Sequence, residues 1–129
     1  MSRASERGAV AVEFAIVAPL LVMLLLGIME FSRVYNAQAT LSAAAREGVR
    51  VMAITGKTAD ATNAAKTAAA SLTPGLQATD MHFGTTCPST ITPGTSPQTT
   101  VTVTYTLSSI TGFAGPFKMS GTGAMLCGG

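Results

Sequence analysis

Polar and apolar positions along the chain fall into three regimes, each with its own period. A short polar leader, residues 1–8, carries Arg3 and Arg7 against Glu6. It gives way to an apolar run from Ala9 to Met29 in which Glu13 is the one ionisable side chain. These 21 residues, at about 1.5 Å rise each, span roughly 30 Å, the thickness of a hydrocarbon core. The run predicts a transmembrane helix, with Pro19 tolerated and giving a mild kink. Gly27 offers a small surface for a neighbouring helix, without the second glycine of a GxxxG pair.

Past the run the apolar residues continue at threes and fours: Phe31, Val34, Tyr35, Leu41, Ala45, Gly48, Val49 and Met52. This period predicts that the first helix continues as an amphipathic rod to about Met52 and ends at Thr55-Gly56. The stripe is expected to form one wall of a core, leaving Arg33, Asn36 and Arg50 outside. A second helix is expected over residues 57–72, with Thr58 as N-cap, Asp60 in the first turn, Ala61, Ala64, Ala65, Ala68, Ala69 and Leu72 as its packing stripe, and Pro74-Gly75 as its stop.

From Ala78 onward the period becomes two. Residues 80–83, 101–107 and a run opening at Phe117-Lys118-Met119-Ser120 and reaching toward Cys127 read as three strands of an antiparallel sheet with one face on the helices. Residues 87–97 and 108–116 carry turn chemistry. In the second of these, Ile110 and Phe113 are expected to tuck onto the sheet edge, the alternative being a displayed tip that makes an assembly contact. The fold class is therefore α+β: a long membrane-capable helix, a short second helix and a small antiparallel sheet. The segments divide as leader 1–8, membrane helix 9–29, outer half of the long helix 30–56 and exported head 57–129.

Composition narrows the function. Of 129 residues, 47% are apolar and 11% charged, which leaves one modest exported domain after the membrane helix is subtracted. A net charge of +2, with no basic cluster interleaved with aromatics, argues against nucleic acid. Positive residues in the leader favour a cytoplasmic amino terminus and an exported head. Cys87 and Cys127 fit that side of the membrane, where an even pair commonly forms a disulfide. If no bulge intervenes, Cys87 shares parity with Met81 and Phe83, and Cys127 with Phe117, Met119 and Met125, so both thiols can face inward. A metal site would need more than two distant thiols and His82, which alternation places on the solvent side of its strand. No HExxH, GxSxG or phosphate-binding glycine motif is present, so neither an enzyme nor a cofactor is expected.

Glu13 has two readings at this level. A carboxylate in the first turns of a helix meets the positive end of the macrodipole and can rest at the headgroups. Alternatively it is kept for a partner, because an ionisable group in a bilayer-length segment is costly.

Three stretches in order carry a resemblance: Arg7 to Ala15 (RGAVAVEFA), Gly27 to Arg33 (GIMEFSR) and Ala44 to Arg50 (AAREGVR). Together they resemble the TadE-like family of pseudopilins, or minor pilins, of the tight-adherence (Flp, type IVc) pilus. The resemblance covers about a third of the chain; the rest fits by architecture. It implies cleavage by a prepilin peptidase after Gly8, leaving Ala9 as the new amino terminus with Glu13 at its fifth position and Phe14 after it. It further implies that the Glu13 carboxylate pairs with the amine at Ala9 of a neighbouring subunit. The implied partners are the peptidase, other pilins, the inner-membrane assembly platform and the bilayer, and the implied location is the bacterial cytoplasmic membrane. Glu30, Arg33, Arg46, Glu47, Gly48 and Arg50 lie in the shared motifs and are candidate subunit contacts, the other reading of their charges being a solvated face with weak pairs. Two alternatives stay open: a secreted protein cut after Ala37-Gln38-Ala39, and a generic membrane-anchored domain.

Overall fold

The computed structural model describes residues 3–112 and 114–128, with side chains from Glu6 onward. Helix α1 runs over Arg3–Thr55 and α2 over Thr58–Ala68, followed by strands β1 (Met81–Phe83), β2 (Gln98–Leu107) and β3 (Phe117–Leu126). The chain divides into two compact units, the first reaching Arg33 and the second beginning at Val34. The expected α+β class, with its long apolar helix, second helix and three-stranded antiparallel sheet, is observed.

The described residues of the first unit are helix alone. Its apolar side chains stand outward on every side, Val10, Phe14, Ile16, Leu20 and Met23 all at 64% exposure or more. The helix is long and apolar enough to cross a membrane. A helix that is apolar all round finds cover in lipid or against other helices. Pro19 lies within α1 without ending it.

In the second unit, the sheet has the order β1-β2-β3, antiparallel throughout, with Val101 opposite both Phe83 and Gly123, and Val103 opposite Met81 and Gly121. Its inward residues Val101, Val103, Tyr105 and Leu107 join Leu41, Ala44, Ala45, Val49 and Met52 of α1 and Ala61, Ala65 and Ala69 in one core. The contact is close because β3 presents glycine where α1 passes. A Cβ on Gly121 would lie 2.7 Å from the Leu41 carbonyl oxygen, and one on Gly123 would lie 2.6 Å from that of Ala45. Where α1 meets α2 the residues are also small: a Cβ on Gly48 would stand 3.3 Å from the Ala65 Cβ.

Helix α1 stops where expected. Gly56 takes φ +65°, the left-handed conformation open to glycine without steric cost, and its N–H donates to the Met52 carbonyl at 2.9 Å. Several expectations need correction. Phe31 and Tyr35, placed in the core stripe, are 73% and 70% exposed. At 3.6 residues per turn Tyr35 lies about a third of a turn away from the Leu41 face. Ala37, Ala44 and Ala53 are buried instead, positions the apolar pattern underweights because alanine is small.

Thr58 is the first helical residue of α2, not its cap; Lys57 occupies the N-cap with extended backbone and no side-chain bond. The helix closes at Ala68, short of Leu72. Bonds from the Ala70 N–H to the Thr67 carbonyl and from Leu72 to Ala69 tighten the chain to a three-residue repeat, so Ala69 and Leu72 remain buried while Ala68 turns outward.

Strand β1 begins at Met81, not Asp80. The Asp80 carboxylate accepts the Gln77 N–H at 2.8 Å and holds Ala78–Asp80 as a 3-10 turn. Strand β2 starts at Gln98, earlier than the alternating pattern suggested. Ile110 is 56% exposed, not tucked in. Its loop closes on itself through the Ser109 hydroxyl, which accepts the Gly112 N–H at 3.1 Å, and Gly112 at φ +73° turns the chain. Phe113 lies outside the described residues.

Candidate assembly segment and head surface

Gly8, Ala9, Glu13 and Phe14 all lie on the first turns of α1 and all are exposed. Gly8 has open space around it, with nothing within 4 Å of the position a Cβ would take. Ala9 and Glu13 are four residues apart and so share one helix face. Around that carboxylate the helix shows only apolar side chains, Val10, Val12, Phe14, Ile16 and Val17, at 50% to 72% exposure. A single negative charge thus projects from an uncovered apolar rod.

The later motif residues do not share one environment. Glu30 is buried at 8% exposure, whereas Arg33, Arg46 and Arg50 are exposed. Arg50 Nη1 approaches Glu47 Oε2 at 3.8 Å, with side chains 63% and 44% exposed. A pair this open contributes about 0–1 kcal/mol. Gly48 is buried, against Ala65, the Ala61 carbonyl and Val101. Its place is inside this chain's own core, where a larger residue would push α2 away. The sequence offered a signal for this, since Gly48 falls on the buried stripe.

Cys87 and Cys127 are joined by a disulfide, with their Cα atoms 5.5 Å apart and 40 positions between them in sequence. Both are half-buried, as parity implied. Beside the bond lies a hollow of about 450 Å³ lined by Ala53 to Gly56, Pro88, Ser89 and Ile91, which carries no ionisable side chain. His82 is exposed on the outer face of β1. Among the described residues no three His, Cys, Asp or Glu side chains gather as a metal site would require.

The geometry thus concentrates its unusual chemistry on α1, and the comparison with protein families falls on the same element. Residues 8–50 match the TadE-like protein family. The resemblance read from the three motifs is borne out over that span. The TadE-like match opens at Gly8, takes in Glu13 and the buried Glu30, and ends at Arg50, so it stays within α1 and stops short of α2 and the sheet. Comparison with curated proteins and with solved structures yields no match.

Gly121 and Gly123 were not singled out from the sequence. Their signal was present in a strand whose inward positions alternate glycine with glycine where a core would otherwise want bulk.

Proposed function

We propose that this chain is a pseudopilin, or minor pilin, of a tight-adherence (Flp) pilus, working through subunit contacts and not through catalysis. The observation that carries the proposal is the TadE-like match over residues 8–50, on a helix whose apolar length has no cover of its own. The helix anchors the chain in the bacterial cytoplasmic membrane with its amino terminus cytoplasmic, held there by Arg3 and Arg7, and with the head exported. A prepilin peptidase cuts after Gly8. Access requires the first two turns of α1 to open, and glycine, which loses most backbone freedom on being held in a helix, lowers the cost of opening them.

Cleavage creates an amine at Ala9. In an assembly of such helices within lipid, the Glu13 carboxylate of one subunit meets the Ala9 amine of the next. An isolated charge in that medium is costly, and a pair with complete hydrogen bonding is much less so. The pair fixes the axial register between neighbours, since any other stagger leaves both charges alone. Other pilins and the inner-membrane platform supply those neighbours.

Two observations weigh against a secreted protein cut after Ala39. Residues 37–39 lie in the middle of α1, and Ala37 belongs to the core of the head, so that cut would sever an element the domain packs upon. The amine-pairing step is tested by Glu13→Ala in the bacterium that makes the protein. The variant should insert and be processed normally while the yield of sheared surface fibres falls at least several-fold. Undiminished fibre yield removes the pairing step.

A further inference from the structure

The connection between β1 and β2 combines hydroxyl side chains with closely spaced prolines outside any strand. Residues 88–96 hold five hydroxyl side chains in nine positions, Ser89, Thr90, Thr92, Thr95 and Ser96, with proline at 88 and 93, a third proline just after them at 97, and no charge. Segments rich in Ser and Thr and punctuated by Pro are the compositional signature of O-glycosylated protein. Composition alone would be weak, but three structural facts point the same way.

The hydroxyl-bearing residues of 88–96 are all exposed. Those of Ser89, Thr90, Thr92 and Ser96 make no hydrogen bond among the described residues, while Thr95 donates to the Thr92 carbonyl at 2.7 Å. The backbone is open as well. Between Thr85 and Ser96 the one backbone bond described is the turn from the Thr95 N–H to the Thr92 carbonyl. The prolines hold their own φ near −65° and bias the residues before them to extended conformations, the form in which a peptide threads a transferase groove. The segment is also held in place. Cys87 tethers its start to Cys127, and the Cys127 N–H donates to the Pro97 carbonyl at its end. The threonines of β2 have the same hydroxyl but lie on a paired strand: Thr99 is buried, Thr100, Thr102 and Thr104 are half-buried, and Thr106, though exposed, is held opposite Lys118 in the sheet.

We infer that residues 88–96 form an O-glycan acceptor loop on the exported head, modified at one or more of these five hydroxyls. The co-substrate is a sugar activated as a nucleotide diphosphate or lipid diphosphate. In the transfer, the bond from the anomeric carbon to the diphosphate oxygen breaks and a new bond forms from that carbon to the Ser or Thr oxygen. The hydroxyl proton passes to a base of the transferase, and the diphosphate leaves with the bonding electron pair. No oxidation or reduction is involved. The placement rests on the export of the head, which is part of the proposed function, and that dependence can be separated experimentally.

The test is peptide and intact mass spectrometry, without prior reduction, of the full chain purified from the envelope of the bacterium that makes it. Peptides spanning residues 88–96 should carry mass increments of whole monosaccharide residues, localised to Ser or Thr by a fragmentation that spares the glycan. Replacing the five hydroxyl residues by alanine should remove the increments while leaving the chain folded, because none of these side chains is in the core. An oxidised Cys87–Cys127 peptide pair with an unmodified loop overturns the glycan inference and leaves export intact. Reduced cysteines with an unmodified loop count against both. Increments confined to β2 overturn the siting.

Discussion

At the scale of single residues, the head is defined by what its side chains lack. Gly121 and Gly123 let α1 rest on the backbone of β3. Gly123→Ala would place a methyl group 2.6 Å from the Ala45 carbonyl oxygen, so helix and strand must separate. Overpacking of this kind costs about 1–3 kcal/mol, and urea unfolding should show the midpoint falling accordingly. Thr99 is the opposite case. It is fully buried and its hydroxyl oxygen has no hydrogen-bond partner among the described residues. Thr99→Val keeps the shape and removes an unsatisfied group, so the same measurement should show a gain of about 1 kcal/mol. A loss there would mean that the hydroxyl has a partner in solution. Of these residues only Glu13 enters the proposed function. Its neighbours on α1 are exposed and apolar, and a carboxylate among them needs either a headgroup position or a counter-charge.

At the scale of elements, legibility followed the strength of the local stop signals. The end of α1 was plain because Gly56 supplies the left-handed residue that a helix terminus favours. Gly56→Ala would force a side chain into that conformation and should lower stability by about 1–2 kcal/mol, read as a shift in thermal midpoint. The end of α2 was not plain. Ala68, Ala69 and Ala70 are equally good helix residues, and the chain tightens there through tertiary packing that no local residue announces. Asp80 misled for a related reason: alternation placed it in a strand, while its carboxylate is drawn back to the Gln77 N–H, one of the backbone bonds by which Asp competes with regular structure. In the candidate site the motif residues were legible as a set but not in their separate environments. Arg33, Arg46 and Arg50 face solvent while Glu30 and Gly48 are buried; for Arg46, Gly48 and Arg50 the division is set by helix rotation against a sheet the pattern could not orient.

At the scale of the molecule, two units answer to two solvents. The first has an apolar surface suited to lipid. The second has a core built largely of alanine, valine and glycine contacts, each burying little area, so its covalent link matters. The Cys87–Cys127 bond closes a loop across 40 positions, which the chain-entropy model values at about 4 kcal/mol. Replacing both cysteines by serine should destabilise the head by an amount of that order in denaturant titrations, and an effect within error would assign the stability to the small-residue core. The proposed pairing of Glu13 requires that the leader be removed, because the Ala9 amine does not exist until then. The most direct measurement is the mass of the amino-terminal peptide of the chain recovered from its own membranes. Processing after Gly8 gives a peptide that begins at Ala9. A peptide that begins at Met1, or at Ser2 after loss of the initiator, leaves no amine for Glu13 to meet and contradicts the pseudopilin assignment.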